Sequence, residues 1–352
     1  MAVPKVSIVI PTLNRASTLE DTIDKIESQT IPTDIYEVIV VDNASTDDTL
    51  RVLEAKSRKY PNLRFFFQPK PGAAATRNAG LRRASGEIVL LIDNDILAEP
   101  DLIERHLEYH SQHARASVIG NVTAPWKDSV DPFLRYLRHR GIYDAYSVAS
   151  GPIDFSYYHT GNVSTPRSFL LEAGCFNEYF FIYGMEDIEL GSRLQNVGVQ
   201  MINGERARAT HHYFPTYEEF IDRCEQAGYS LGKLIELHPE LQQRFVDNGK
   251  CTKLLKPFHR VYWICSSGAD SASRWLARRE EQRGTGPVSR LLELHYYWSI
   301  RYRFFLGYNQ YCEHARNGNT THNVIRFRSS TVREFPMQTL ETGKRSARSI
   351  RF

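Results

Sequence analysis

The sequence has no run approaching the roughly 20 apolar residues that a membrane-spanning helix needs. It has five cysteines in 352 residues: Cys175, Cys224, Cys251, Cys265 and Cys312. The number is odd and no CxxC occurs, which argues against a disulfide framework or a zinc site and for free thiols in a reducing compartment. A strand-like pattern begins within a few residues of Met1, so no signal peptide is expected. The sequons at Asn43, Asn121, Asn162 and Asn319 are then expected to stay unmodified. No internal repeat is present. No GxGxxG follows a strand pattern, which removes the main signal of a dinucleotide-dependent dehydrogenase.

What is present is ordinary globular composition with an uneven charge. The net charge of +3 hides a split. Residues 251–352 carry 18 Lys and Arg against 7 Asp and Glu, whereas residues 1–250 carry 26 against 34. An acidic front and a basic back suggest different partners. Length alone suggests two units, or one large unit with an extension.

Along the first 115 residues, apolar runs alternate with helical periodicity. "KVSIVIPTLN" reads as a strand stopped by Pro11. "STLEDTIDKIESQT" reads as a helix, with Ser17 and Glu20 at capping-box spacing. "YEVIVVDNASTDDT" ends a second strand at Asp42, and "NLRFFFQP" is a third. "GAAATRNAGLRRASG" is a helix stopping near Gly86, and "EIVLLID" is a fourth strand. This alternation predicts an α/β fold with a mostly parallel sheet flanked by helices. Ligands of such sheets bind beyond the carboxyl ends of the strands. Thr12 and Asn14, Asp42, and Asp93 to Asp95 all stand there.

Beyond residue 115 the pattern loosens. "ASVIGNVTA" suits a strand, and residues 126–160 show no clear period. "TPRSFLLEAG", "EDIELGSRLQNVG" and "TYEEFIDRCEQAGYSLGKLIEL" read as helices. The organisation expected is a catalytic unit over 1–230, a helical, basic and aromatic extension over 231–322, and a poorly ordered tail over 323–352.

Asp93 and Asp95, one residue apart at a strand end, suit a hard divalent cation such as Mg²⁺ or Mn²⁺ that shares a ligand's phosphates. Asp-Asn-Asp is equally good turn chemistry. Asp42 on the neighbouring strand adds weight to the metal reading.

Six segments stand in the order and spacing of a known family: "SIVIPTLNR", "VIVVDNASTDDT", "GAAATRNAGL", "IVLLIDNDI", "TGNVSTPRSFLLEAGCFNEYF" and "GMEDIELGSRL". Over about residues 5–230 the chain resembles glycosyltransferase family 2, nucleotide-sugar transferases of the GT-A fold. The resemblance implies that Pro11, Thr12, Asn14, Arg15 and Asp42 hold the base and ribose. It places Arg77, Asp93 and Asn94 on the donor, and makes Asp93 and Asp95 the metal-binding Asp-x-Asp. It implies Asp187 as the catalytic base, with Glu186 contacting the acceptor or orienting the loop. His211, or alternatively His212, would complete the metal site. Gly161 and Asn162 would lie on the acceptor side.

Each residue also has a plain reading. Asp42 suits a turn or helix cap, and Arg77 a helix surface. Glu186 and Asp187 suit a helix first turn. The two histidines suit a loop. Arg82 and Arg83 read as solvated. Glu189 is a weaker rival for the base, because two residues along a helix turn it roughly 200° away.

The expected activity is metal-dependent, inverting transfer from a nucleoside-diphosphate sugar, with UDP favoured, to a glycan or lipid-linked acceptor. A single base suits one in-line displacement. A nucleotidyltransferase is disfavoured because "PTLNRASTLED" lacks glycine after the first strand. An inactive glycan- or nucleotide-binding relative is the non-enzyme alternative. The segment "LHYYWSIRYRFFLGY" either packs its aromatics on the catalytic unit or meets an anionic membrane from the cytoplasmic side. No nucleic-acid recognition motif accompanies it.

Overall fold

A computed structural model describes residues 3–142, 151–247 and 272–316. Among these, nine strands form one sheet in the order β3-β2-β1-β4-β8-β6-β9-β5, with β7 also pairing β9. The strands are β1 (Val6–Thr12), β2 (Tyr36–Asp42), β3 (Leu63–Phe67), β4 (Ile88–Ile92), β5 (Ile96–Ala98), β6 (Ala116–Thr123), β7 (Gly151–Ile153), β8 (Asn162–Pro166) and β9 (Gln200–His211).

The sheet is mixed. β3, β2, β1 and β4 run parallel. β8 enters antiparallel between β4 and β6. β6 and β9 are parallel, while β5 and β7 pair β9 antiparallel. The parallel part is what alternation with helices predicts. The antiparallel part arises where the helical periodicity stops.

Alternation along each strand builds a core on either face. Val9, Ile39, Val41, Val89 and Leu91 enter one core. Ile8, Ile10, Val38, Val40, Leu90 and Ile92 enter the other. The second face is covered by α1 (Ala16–Glu27), α2 (Thr49–Lys59) and α4 (Leu102–Gln112). The first is covered by α3 (Ala73–Leu81), α6 (Arg167–Glu172), α7 (Glu186–Asn196) and α8 (Tyr217–Leu237). With helices on both faces, polar chemistry is left to the strand ends. The crossovers after β1 lead away to β2 and β3, whereas β4 lies on the other side of β1. That switch point opens a crevice between Thr12 and Asp93.

Three local expectations are corrected. Ser17 and Glu20 make no capping box, because α1 starts at Ala16 without a side-chain cap. The Ala16 amide instead donates to Asp47 Oδ2 at 3.2 Å, and Glu20 pairs with Lys56 at 3.1 Å. A capping box does form at Thr216 and Glu219, opening α8. Gly86 does not end α3, which stops at Leu81. A Cβ there would lie 2.6 Å from the Ser7 amide, so Gly86 permits the close approach of β4 to β1. Within 126–160, where no period is legible, α5 (Pro132–His139) is capped by Asp131 with proline in its first turn.

Residue 230 lies inside α8, and the long helix Arg290–Arg316 packs along α8. Arg303 pairs with buried Glu225, which also accepts from Gln310 at 3.1 Å. Arg135 on α5 pairs with buried Glu280 at 3.4 Å in the helix over 272–282. Phe133 meets Tyr296 edge-on, ring centroids 5.0 Å apart. With Trp126, Tyr136, Phe220 and Leu292 they form a third core. Aromatics of the helix Arg290–Arg316 thus pack on α5 and α8. "RVYWIC" and the tail over 323–352 lie outside the described residues.

Gly228 and Gly307 are where the two long helices touch. A Cβ on Gly228 would strike the Phe304 carbonyl, and one on Gly307 the Glu225 carbonyl. Alanine at either position is expected to cost about 1–3 kcal/mol through overpacking, read from urea denaturation. Gly286, with nothing near its Cβ position, should tolerate alanine within about 0.5 kcal/mol. Equal midpoints for all three variants would contradict this seating.

Candidate active site

The crevice opens into a cleft of about 1770 Å³. Its floor is the end of β1. Pro11, Thr12, Leu13 and Arg15 line it, and Asn94 Nδ2 donates to Thr12 Oγ1 at 3.0 Å.

Asn14 and Asp42 stand beside the cleft without lining it. Asn14 has φ +53°, and its Oδ1 accepts from the Thr46 amide at 2.7 Å. Buried Asp42 accepts from the Ser45 amide at 3.1 Å. Both side chains hold the loop after β2, which is the turn chemistry their residue types favour. The loop presents Asn43 and Ala44 to the cleft instead. Asn43 is tied to the loop before α3, donating to the Gln68 and Lys70 carbonyls at 2.7 and 2.8 Å.

On one wall, β5 pairs with β9 so that Ile96 lies opposite His211. This brings Asp95 Oδ1 to 3.2 Å from His211 Nε2. Burial opposes charge on Asp95. The hydrogen bond and charge of His211, with Arg15 and Arg223, overcome it and hold the carboxyl below its usual range. His212 points elsewhere: its ring packs on Phe214, while its amide donates to the Asp95 carbonyl at 2.7 Å. Among the described residues no group of three or more His, Cys, Asp or Glu side chains is arranged to hold a metal by itself. One carboxylate beside one imidazole fits a Mn²⁺ or Mg²⁺ ion that takes its remaining ligands from a diphosphate and water.

At the centre, Arg77 is buried. Ala74, Ala75, Ala79 and Gly80 let α3 settle onto the sheet, Gly80 against Val9. Arg77 Nη2 donates to Asp93 Oδ1 at 2.8 Å and Nη1 to Glu186 Oε1 at 3.1 Å. Asp93, expected to share a metal with Asp95, thus has one oxygen engaged by the guanidinium. Its Oδ2 faces Gly161, lying 3.6 Å from where a Cβ on that residue would be.

The opposite wall is the start of α7. Gly184 at φ +95° and Met185 at φ +71° turn the chain into the helix. Glu186 is buried, and its Oε2 has no hydrogen-bond partner. Burial, then the neighbouring Asp187, push its carboxyl up to about 7, against the pull of Arg77. Asp187 goes the other way. Burial opposes its charge, but His159, the Ile188 amide and Arg77 hold it below the usual range. Its Oδ1 accepts from that amide at 2.8 Å, and its Oδ2 lies 3.4 Å from His159 Nδ1. Glu189 faces away, bound to Arg193 and His238.

Gly161 lines the cleft. Asn162 reaches it, but its amide is engaged inward, Oδ1 with His106 Nε2 at 2.8 Å and Nδ2 to the Ala207 carbonyl at 3.0 Å. Sequence reasoning missed His159, Asn43, Tyr179, Phe181, Tyr183 and Arg223, all of which line the cleft. The one available signal was proximity: His159 stands two residues before Gly161.

Comparisons with known proteins bear on the family and the fold. Residues 7–172 match the model of glycosyl transferase family 2. The chain is 30% identical over 225 residues to validoxylamine A glucosyltransferase of Streptomyces hygroscopicus subsp. jinggangensis (strain 5008), covering 56% of this chain and 53% of that one. The chain spans about half the length of the first curated relatives it matches. Mannosyltransferase PcManGT from Pyrobaculum calidifontis, solved with GDP-Man and Mn²⁺, aligns with a TM-score of 0.53 at 22% identity, over 91% of this chain and 88% of that one. S. aureus TarS 1-349 in complex with UDP aligns with a TM-score of 0.51 at 18% identity, over 89% and 92%. These two likenesses establish the fold.

Glu186 generates a pH prediction. The folded chain holds a proton on this carboxyl more tightly than an unfolded chain, where the usual value is 4.5. Stability therefore falls as pH rises from the usual value towards 7. Glu186→Gln removes the titration, so its melting temperature relative to wild type should climb from about pH 5 to about pH 8. A difference independent of pH would show that Glu186 is ionised throughout.

Proposed function

We propose, from the premise that residues 7–172 form a family 2 glycosyltransferase domain, that this protein moves a sugar from a nucleoside-diphosphate sugar to an acceptor hydroxyl with inversion. One observation carries the reading: a single cleft holds Asp95 with His211 on one wall and Asp187 on the other, with Arg77 between them bonded to Asp93 and Glu186.

Pro11, Thr12, Arg15 and the Asn43–Ala44 loop, which line the cleft, would hold the base and ribose, and Asp93 and Asn94 the ribose and sugar. Asp95 and His211 would hold a divalent cation, which supplies Lewis-acid stabilisation of the leaving diphosphate. Asp187 takes the proton of the acceptor hydroxyl. That oxygen bonds to the anomeric carbon as the bond from this carbon to the diphosphate oxygen breaks, and the nucleoside diphosphate leaves with the electron pair. A single carboxylate acting on one face gives inversion.

Glu186, buried with Oε1 on Arg77, would orient the loop before α7 or contact the acceptor. Tyr179, Phe181 and Tyr183, with Gly161, suit the flat faces of a glycan acceptor. UDP is the favoured donor nucleotide, as the TarS complex with UDP supports. No helix among the described residues is long and apolar enough to cross a membrane. Trp275, Leu291 and Leu294 stay exposed on the basic extension, and peripheral contact with an anionic membrane would run through them.

Two variants test the division of labour. Asp187→Asn should keep nucleotide binding and lose about 10²–10⁴-fold in transfer rate. Asp95→Asn should lose metal-dependent nucleotide binding itself. Near-normal turnover by Asp187→Asn, followed by donor consumption, would sink the base assignment.

A further inference from the structure

Asp187 sits among like charges. Glu186 precedes it on α7, and Asp93 adds a carboxylate from the end of β4. The buried cation nearby, Arg77, directs its two bonded nitrogens at Asp93 and Glu186 rather than at Asp187. The basic group that touches Asp187 comes from a different part of the chain. It is His159, 28 residues earlier, with Nδ1 at 3.4 Å from Asp187 Oδ2.

The segment carrying His159 is held in place on both sides. Tyr158 before it is fully buried. It presses on α7 at Gly191, where a Cβ would lie 2.7 Å from the Tyr158 Cβ and 2.9 Å from the Phe155 carbonyl oxygen. Asn162 after it is fixed by His106 and the Ala207 carbonyl. His159 itself is partly exposed, lines the cleft and can exchange its proton with solvent. Both ends of the contact are thus set by packing.

We propose that His159 is a positioning residue for Asp187. Its Nδ1–H donates to Oδ2 and, with the Ile188 amide on Oδ1, fixes the carboxylate in one orientation, and its positive charge keeps Asp187 ionised beside Glu186. The proposal rests on Asp187 being the base. It adds a residue that acts through that base. Burial opposes charge on His159, but Asp187, then Glu186 and Asp93, raise its affinity for a proton above the ordinary value. The other groups facing the pair are Arg77 from α3, Tyr158 beside His159 and Tyr183 from the loop before α7.

The test follows the His159 ring by ¹H–¹³C NMR in the full chain, assigned with His159→Gln. In wild type this imidazole should titrate above the ordinary histidine value of 6.5, and in Asp187→Asn its midpoint should fall. In transfer assays, His159→Gln should lower kcat about tenfold or more and leave the donor KM within about twofold. The acidic limb of its kcat profile should move to higher pH, because Asp187 loses the cation that holds its proton affinity down. A generally loosened site would raise KM without moving the limb. A His159 midpoint indifferent to Asp187→Asn, or a His159→Gln profile that overlays wild type, overturns the proposal. A midpoint that responds in a chain showing no transfer would instead overturn the transferase reading and leave the pairing intact.

Discussion

The site depends on one buried guanidinium. Arg77 is taken out of water by α3, and such a charge is tolerated only with close carboxylate partners. Asp93 from the end of β4 and Glu186 from the start of α7 supply them. The same two bonds join the end of β4 to the wall that carries Asp187. Removing one partner of a buried pair costs about 3–5 kcal/mol because the other charge is stranded. The two contacts thus tie the end of β4 to the start of α7 around one guanidinium.

The fold makes this economical. Putting β4 on the far side of β1 from β2 opens the crevice where Thr12 and Asn94 meet. The antiparallel insertion of β8 then brings Gly161 against Asp93 and His159 against α7. The extension, far away in sequence, reaches the same wall. Its long helix rests on α8 through Gly228, Gly307 and the Glu225–Arg303 pair. α8 in turn holds the loop before α7, with Ser230 Oγ donating to the Tyr183 carbonyl and Lys233 Nζ to the Tyr179 carbonyl, both at 3.0 Å. The long helix thus buttresses, through α8, the wall of the cleft that carries Asp187.

Much of this was legible from pattern, and the illegible parts share a cause. Strand ends are marked by a short-range change from apolar to polar residues, so Thr12 and Asp93 to Asp95 could be placed at the crevice. Helical geometry turned Glu189 away from Asp187. Alternation of adjacent residues on a strand separated His211 from His212. Asn14 and Asp42 suited a turn or a ligand by residue type, and in the structure amides of the next loop donate to both side chains. Ser17 and Glu20 had the spacing of a cap, but Asp47, from another loop, reached the helix start first. His159 and Asp187 are neighbours only through packing of Tyr158 on Gly191, and no local pattern records that contact. The mixed sheet was hidden likewise, because β5 and β7 are only three residues long and no helix of the α type separates β4 from β5 or β7 from β8.

The most direct test of the account is calorimetric titration of the full chain with UDP and GDP, each in Mn²⁺ and again in EDTA. The account predicts saturable binding of one nucleotide, UDP by preference, that disappears when the metal is chelated. Undiminished binding in EDTA would contradict the role given to Asp95 and His211. No binding of either nucleotide by a folded sample would contradict the transferase reading itself.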